Sequence, residues 1–310
     1  MEDPDTQGNT YRFLKAMGAC NKGDFPTAFQ LLTELAKLGD SAAQNALGNM
    51  YWRGLGTPRD KAKAEDLYRM AAEKGNADAQ VNLGDMKHNK YRQSARLPLI
   101  SFSDRDEAEA ERWYRLAAEQ GNASGQCGLG TLISDSALFN KSKAREAAHW
   151  FRLAAEQGNA RAQTALAIAH SMGIGVDKDE AEAKRWYLRA ADQGYAHAQT
   201  NIGEMYHWGT DHVQQDAQEA LRWYHLAARQ DYAQAQYLIG HIYAVGDSVP
   251  KNCTIAYMWY LISNANGCNT ADFLEEIQDE MTYDEIVEAE KRAREHMSAS
   301  DQQKDQGVRF

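Results

Sequence analysis

The chain has 310 residues, with 34 Lys plus Arg against 44 Asp plus Glu and a net charge of −10. That acidic balance excludes general nucleic-acid binding, which needs a basic surface, and no apolar run approaches the roughly 20 residues of a membrane span. The start, MEDPDTQGNTYRF, lacks the basic and apolar regions of a signal peptide, so the chain as it stands is expected in the cytoplasm, or in the periplasm if a signal peptide was removed.

Residues 1–38 read as an N-terminal segment and capping hairpin, with Gly23-Asp24 at its turn. From Gly39 a period sets in. Gly39, Gly75, Gly121, Gly158, Gly194, Asp231 and Gly267 hold equivalent places, with AAEQGNA standing letter for letter at 117–123 and 154–160. Eight residues before these places come Leu31, Leu67, Trp113, Trp150, Trp186, Trp223 and Trp259; five after come Gln44, Gln80, Gln126, Gln163, Gln199 and Gln236. An aliphatic residue and usually a glycine follow, as in Leu47-Gly48 and Ile202-Gly203. Such self-similarity predicts stacked hairpins that bury one another's apolar faces.

Each unit predicts two helices. In 178–194, Ala183, Trp186, Tyr187, Ala190 and Ala191 form one apolar helical face, and Gly194 stops the helix in a left-handed conformation. In the next stretch Ala198, Ile202, Met205 and Tyr206 repeat the pattern, and the glycine after Ile202 predicts close approach of the partner helix. The step from Gly75 to Gly121 is longer than the others because of an insertion near 87–105. It is basic at Lys87, Lys90, Arg92, Arg96 and Arg105, with an apolar centre, LPLISF. The repeat array is expected over 39–267, capping helices over 268–298 (near 270–280 and 282–298), and a disordered tail over 299–310.

The stretch AQTALAIAHSMGIGVDKDEAEAKRWYLRAADQGYA, Ala162 to Ala196, closely resembles the Sel-1-like repeat family, a relative of the tetratricopeptide repeats, in its bacterial type. Gly173, Gly175, Val176 and Asp179 fill the family's loop positions. The Gly-x-Gly loop is intact also at Gly54 and Gly56 but missing after Leu129 and Leu83. The resemblance implies an all-α, right-handed α-solenoid of about seven helix-turn-helix hairpins with C-terminal capping helices.

Catalytic motifs are lacking: no HExxH, no G-x-S-x-G and no phosphate-binding glycine loop. The nine histidines are scattered and the four cysteines show no CxxC, so neither metal nor cofactor is expected. The acidic runs DRDEAEAERW and DKDEAEAKRW read as helix N-terminal charges on a solvated face. Five tryptophans share the packing column, whereas Trp52 and Trp208 do not.

By analogy with tetratricopeptide stacks, first helices line a concave, partner-binding face. Its exposed positions are then Asn45, Asn49, Trp52, Arg53, Asp78, Asp85 and His88, and further along Glu204, His207, Trp208, Tyr237 and His241. The resemblance implies a non-catalytic scaffold for a protein partner, one with a basic surface suiting the acidic chain. Its most specific form is an immunity (antitoxin-like) protein for a secreted phospholipase effector. An adaptor in a signalling or envelope assembly, or a β-lactam-binding or hydrolysing enzyme, is the alternative.

Overall fold

The computed structural model describes residues 4–94, 103–137, 140–246 and 249–306. Arg96 and LPLISF of the insertion lie outside the described residues, as do 307–310 of the tail. Among the described residues there are sixteen helices and no strand, only an isolated bridge between Thr210 and Val213. The fold is an all-α solenoid of tandem hairpins.

The chain divides into two compact units, one ending at Gln157 and the other beginning at Gly158. The first holds α1 (Pro4–Asn21), α2 (Phe25–Lys37), α3 (Ser41–Arg53), α4 (Lys61–Glu73), α5 (Ala77–Ser94), α6 (Ser103–Glu119), α7 (Ala123–Asp135) and α8 (Lys141–Glu156). The second holds α9 (Ala160–Met172), α10 (Glu180–Asp192), α11 (Ala196–Trp208), α12 (Ala217–Ala228), α13 (Ala233–Val245), α14 (Cys253–Ala265), α15 (Ala271–Gln278) and α16 (Tyr283–Gln306). Within each unit successive helices from α1 to α14 pair as hairpins, and both α15 and α16 pack on α14.

The repeated letters act at the helix ends. Asp40, Asn122 and Asn159 cap α3, α7 and α9 by accepting a backbone N–H in the first turn. At the other end Gly39, Gly75, Gly121, Gly158, Gly194 and Gly267 all have positive φ. The next residue's N–H returns to a carbonyl one turn inside the helix, as in Asp40 to Leu35 and Tyr195 to Ala190. Asp231 takes the same backbone conformation, at φ 58°, without being glycine. Its Oδ2 accepts a 2.7 Å hydrogen bond from Ser300 Oγ on α16.

Between helices the anchor is a tyrosine ring laid on a glycine. Tyr68, Tyr114, Tyr224 and Tyr260 are buried, and a Cβ added at Gly48, Gly84, Gly203 or Gly240 would come within 2.4–2.8 Å of their rings. Phe151 covers Gly130 in the same way. The expected close approach at Gly203 is therefore made by the ring of Tyr224. The tryptophan column is less uniform than its spacing predicts. Trp113, Trp186 and Trp259 are buried, whereas Trp150 and Trp223 are only half-buried.

The glutamine column ties three helices at a time. Gln126 Nε2 donates to Ala118 O at the end of α6, and its Oε1 accepts from Gln157 Nε2 at the end of α8. The same two-sided link recurs at Gln80, Gln199 and Gln236, whose Oε1 atoms accept from Gln120, Gln230 and Asn266. Gln44 donates to Ala36 O, but its buried Oε1 has no partner. Lys74 stands where the others carry an amide, and it donates to Gly39 O.

At the C-terminus α16 runs to Gln306, past residue 299, where composition predicts disorder. The physical reason lies in the packing before it: Ala289 and Ala293 are buried, His296 meets the Trp259 ring edge-on at 5.2 Å, and Ser300 is bonded to Asp231.

Candidate functional site

The expected site residues fall in both units. In the first, most are engaged within the protein. Asn45 Oδ1 accepts from Asn82 Nδ2 at 2.8 Å, joining α3 to α5. Asn49 accepts from Tyr68 OH at 2.8 Å and Asp85 from Tyr114 OH at 2.6 Å. Asp78 accepts from Asn122 Nδ2 at 2.9 Å. Arg53 is exposed.

Four expectations of exposure fail here. Asn45 and Asn49 are half-buried. His88 is buried, with Nε2 at 3.2 Å from Asp135 Oδ2 and its ring edge-on to Tyr114, because α7 ends in Asp135 instead of a Gly-x-Gly loop. Trp52 is half-buried against the α4–α5 core, and Arg59 from its own loop and Lys61 at the start of α4 stand over its ring at 5.5 and 5.4 Å. Lys87 of the basic insertion is buried too, at 2.9 Å from Glu65 and 3.3 Å from Glu109. Burial opposes the charge of Lys87, but the two carboxylates outweigh it and push the ammonium up.

In the second unit one residue of the set is fully open to solvent. Trp208, at the end of α11, is 66% exposed. His207 beside it is buried, its ring edge-on to the indole at 4.3 Å, which corrects its expected exposure; it occupies the inward side of the last helical turn. Tyr237 is half-buried against Tyr260 and Phe273. His241 lines a shallow cavity with Tyr260, Phe273 and Glu276. Glu204 is half-buried, and burial raises its carboxyl above the usual range.

Two residues outside the expected set extend this face. Met172 and Val245 end α9 and α13 as Trp208 ends α11, each just before a glycine. They are 65% and 57% exposed. Three successive first helices of this unit thus each end in a large, solvent-facing apolar residue, where the first unit's α3 ends in Arg53. The signal was available in the sequence: an apolar residue in register with Trp208, outside the buried positions of the repeat.

Among the described residues no group of three His, Cys, Asp or Glu is placed to hold a metal ion. No helix among them is long and apolar enough to cross a membrane. Cys20 and Cys127 are buried thiols, and Cys253 and Cys268 are partly exposed thiols.

A family model described as Sel1 repeat matches six consecutive stretches, 41–76, 77–122, 123–159, 160–195, 196–232 and 233–268. No curated protein matches the sequence. Among solved structures, c5321, a protective antigen of uropathogenic Escherichia coli with an SLR fold, is 27% identical over 91% of this chain, with a TM-score of 0.73. This chain spans 61% of that protein's length. A Sel1 repeat protein from Oxalobacter formigenes is 29% identical, covering 81% of this chain and 96% of that one, with a TM-score of 0.68. The immunity protein PA5088 of Pseudomonas aeruginosa aligns more loosely, at 20% identity over 72% of this chain and 83% of that one, with a TM-score of 0.48.

Proposed function

The chain belongs to the Sel1 repeat family, and from that premise we propose that it is a non-catalytic scaffold that binds a partner protein on the exposed faces of its first helices. The observation that carries this is the series Met172, Trp208 and Val245, large apolar side chains left open to solvent at equivalent positions of one unit. Exposed aromatic and aliphatic residues outside the packing code act as anchors for a partner's side chains. Glu204, Tyr237 and His241 belong to the same reading, as do Asn45, Asn49, Trp52, Arg53, Asp78, Asp85, His88 and His207 in supporting positions. The hairpin of residues 1–38 and the helices after 268 act as caps on the array.

A narrower form takes the partner to be a secreted phospholipase effector with a basic surface and this chain to be its immunity protein. The net charge of −10 favours such a pairing.

Affinity capture with the wild-type chain and with Trp208→Ala, followed by mass spectrometry, tests the scaffold. A protein retained by the first and lost by the second is expected; identical catches would remove Trp208 from the interface. Nitrocefin turnover above blank would replace the scaffold with the β-lactam-hydrolysing alternative. For the narrower form, co-expression with the captured effector is expected to restore growth, and continued killing would exclude it.

A further inference from the structure

Two hairpins of the first unit share a polar pair that the second unit leaves open. Tyr68 OH bonds Asn49, and Tyr114 OH bonds Asp85; in each case the acceptor is the residue after the glycine beneath the ring. In the α11–α12 hairpin the same places hold Tyr224 and Glu204. The ring again lies on Gly203, but the Tyr224 hydroxyl is buried with no partner. Glu204 makes no hydrogen bond or ion pair among the described residues. It is near enough for its charge to act on the hydroxyls of Tyr187, Tyr224 and Tyr232.

A half-buried carboxylate and a buried phenol without partners are each costly to the fold. The carboxylate has acceptor capacity to spare, and what it lacks is a donor with positive charge. One turn further along the helix, Trp208 offers an exposed indole. A planar cation that forks onto a carboxylate and stacks on an aromatic face fits this combination better than a compact ammonium does.

We propose that Glu204, with the Tyr224 hydroxyl beneath it and the Trp208 indole beside it, is the receptor for an arginine side chain of the partner protein. This rests on the scaffold reading and names the chemistry that the scaffold recognises. The guanidinium supplies the missing donors to Glu204, above the fully buried Tyr224 hydroxyl, and its alkyl stem and π face cover Trp208. The lone carboxylate is then held ready at a cost in stability that binding recovers.

The test uses the full chain with its tryptophan indoles labelled for NMR, the Trp208 signal being assigned with Trp208→Phe. Acetyl-arginine amide is expected to shift that signal saturably, acetyl-lysine amide several-fold more weakly, and the neutral acetyl-citrulline amide not at all. Glu204→Gln is expected to abolish the arginine response while melting at the same temperature as wild type or above it. Equal responses to arginine and citrulline would overturn the proposal, as would an arginine response that survives in Glu204→Gln. Silence up to about 100 mM arginine amide, well beyond the millimolar affinity of a single side chain, or a lower melting temperature for Glu204→Gln would overturn it too. A chain that loses its captured partner on Trp208→Ala yet ignores arginine keeps the scaffold reading and loses this one.

Discussion

At Lys74 one side chain breaks a pattern that five later positions keep. Its ammonium serves Gly39 O, and the buried Oε1 of Gln44 goes without a donor. Lys74→Gln restores the amide and is expected to raise stability by about 1 kcal/mol, the net worth of a buried hydrogen bond, read as a higher urea midpoint at unchanged slope. Asp231 poses the opposite problem, an L side chain at φ 58° held by Ser300. Asp231→Gly removes the backbone strain but also that bond, so its net effect is expected to be near zero. In a Ser300→Ala background the same change is expected to gain about 1 kcal/mol, and a double-mutant cycle separates the two. Trp186→Ala is expected to cost about 3–5 kcal/mol and Trp208→Ala almost nothing, since the first is buried and the second 66% exposed. The glutamine column is legible in the sequence as a recurring letter. Its two-sided bonding is not, because periodicity shows that a position matters without showing what it touches.

Helix pairing turns on the tyrosine and the glycine together. Gly203→Ala would place a Cβ 2.4 Å from the Tyr224 ring and is expected to cost about 1–3 kcal/mol as overpacking. At the α9–α10 hairpin the corresponding residue is already Ala167, itself buried, so Ala167→Gly is expected to move the urea midpoint far less. A gain in stability for Gly203→Ala would show that helix propensity, not ring contact, sets the spacing. The helices and their junctions are plain from the repeat, whereas α5 runs into the insertion as far as Ser94 and α16 past the end that composition predicts. Which of two adjacent aromatics holds the centre is not plain. Trp223 and Tyr224 are neighbours on a helix, both border its apolar face, and only the glycine opposite selects the tyrosine. Likewise Tyr195 and Tyr232 look like further members of the Asn capping position, yet neither caps its helix. His197 stands between them, stacked on Tyr232 with ring centroids 6.1 Å apart.

On the scale of the molecule, repetition makes the solenoid legible and the candidate face only partly so. Exposure of Trp52 or His88 depends on loops that differ from repeat to repeat, and a period carries no information about its own exceptions. Solution pH reads those exceptions out. His197 and His225 titrate below the ordinary histidine range, His197 through burial and His225 through burial and then Arg229 and His296. Their neutral forms are favoured in the fold, so this stability is complete above the unfolded value near 6.5 and is lost as pH falls through it. Glu204 acts in the other direction, its raised carboxyl costing stability as pH climbs from the ordinary glutamate value through the raised one. A melting temperature that falls from pH 7 to pH 5.5 is therefore expected, with His225→Asn flattening the fall; an unchanged slope in that variant would clear His225 of the effect.

The glutamine links have a consequence for how such a chain changes length over generations. Each joint asks only for a helix-end carbonyl before it and an amide after it, and the repeats 196–232 and 233–268 supply both. A crossover between equivalent codons of 196–232 and 233–268 deletes one whole repeat, yet Gln236 then meets Ala191 as Gln199 did, and Asn266 still answers it. Recombination can add or remove a segment without inventing a new contact. Lys74 marks a joint where that interchangeability has been given up.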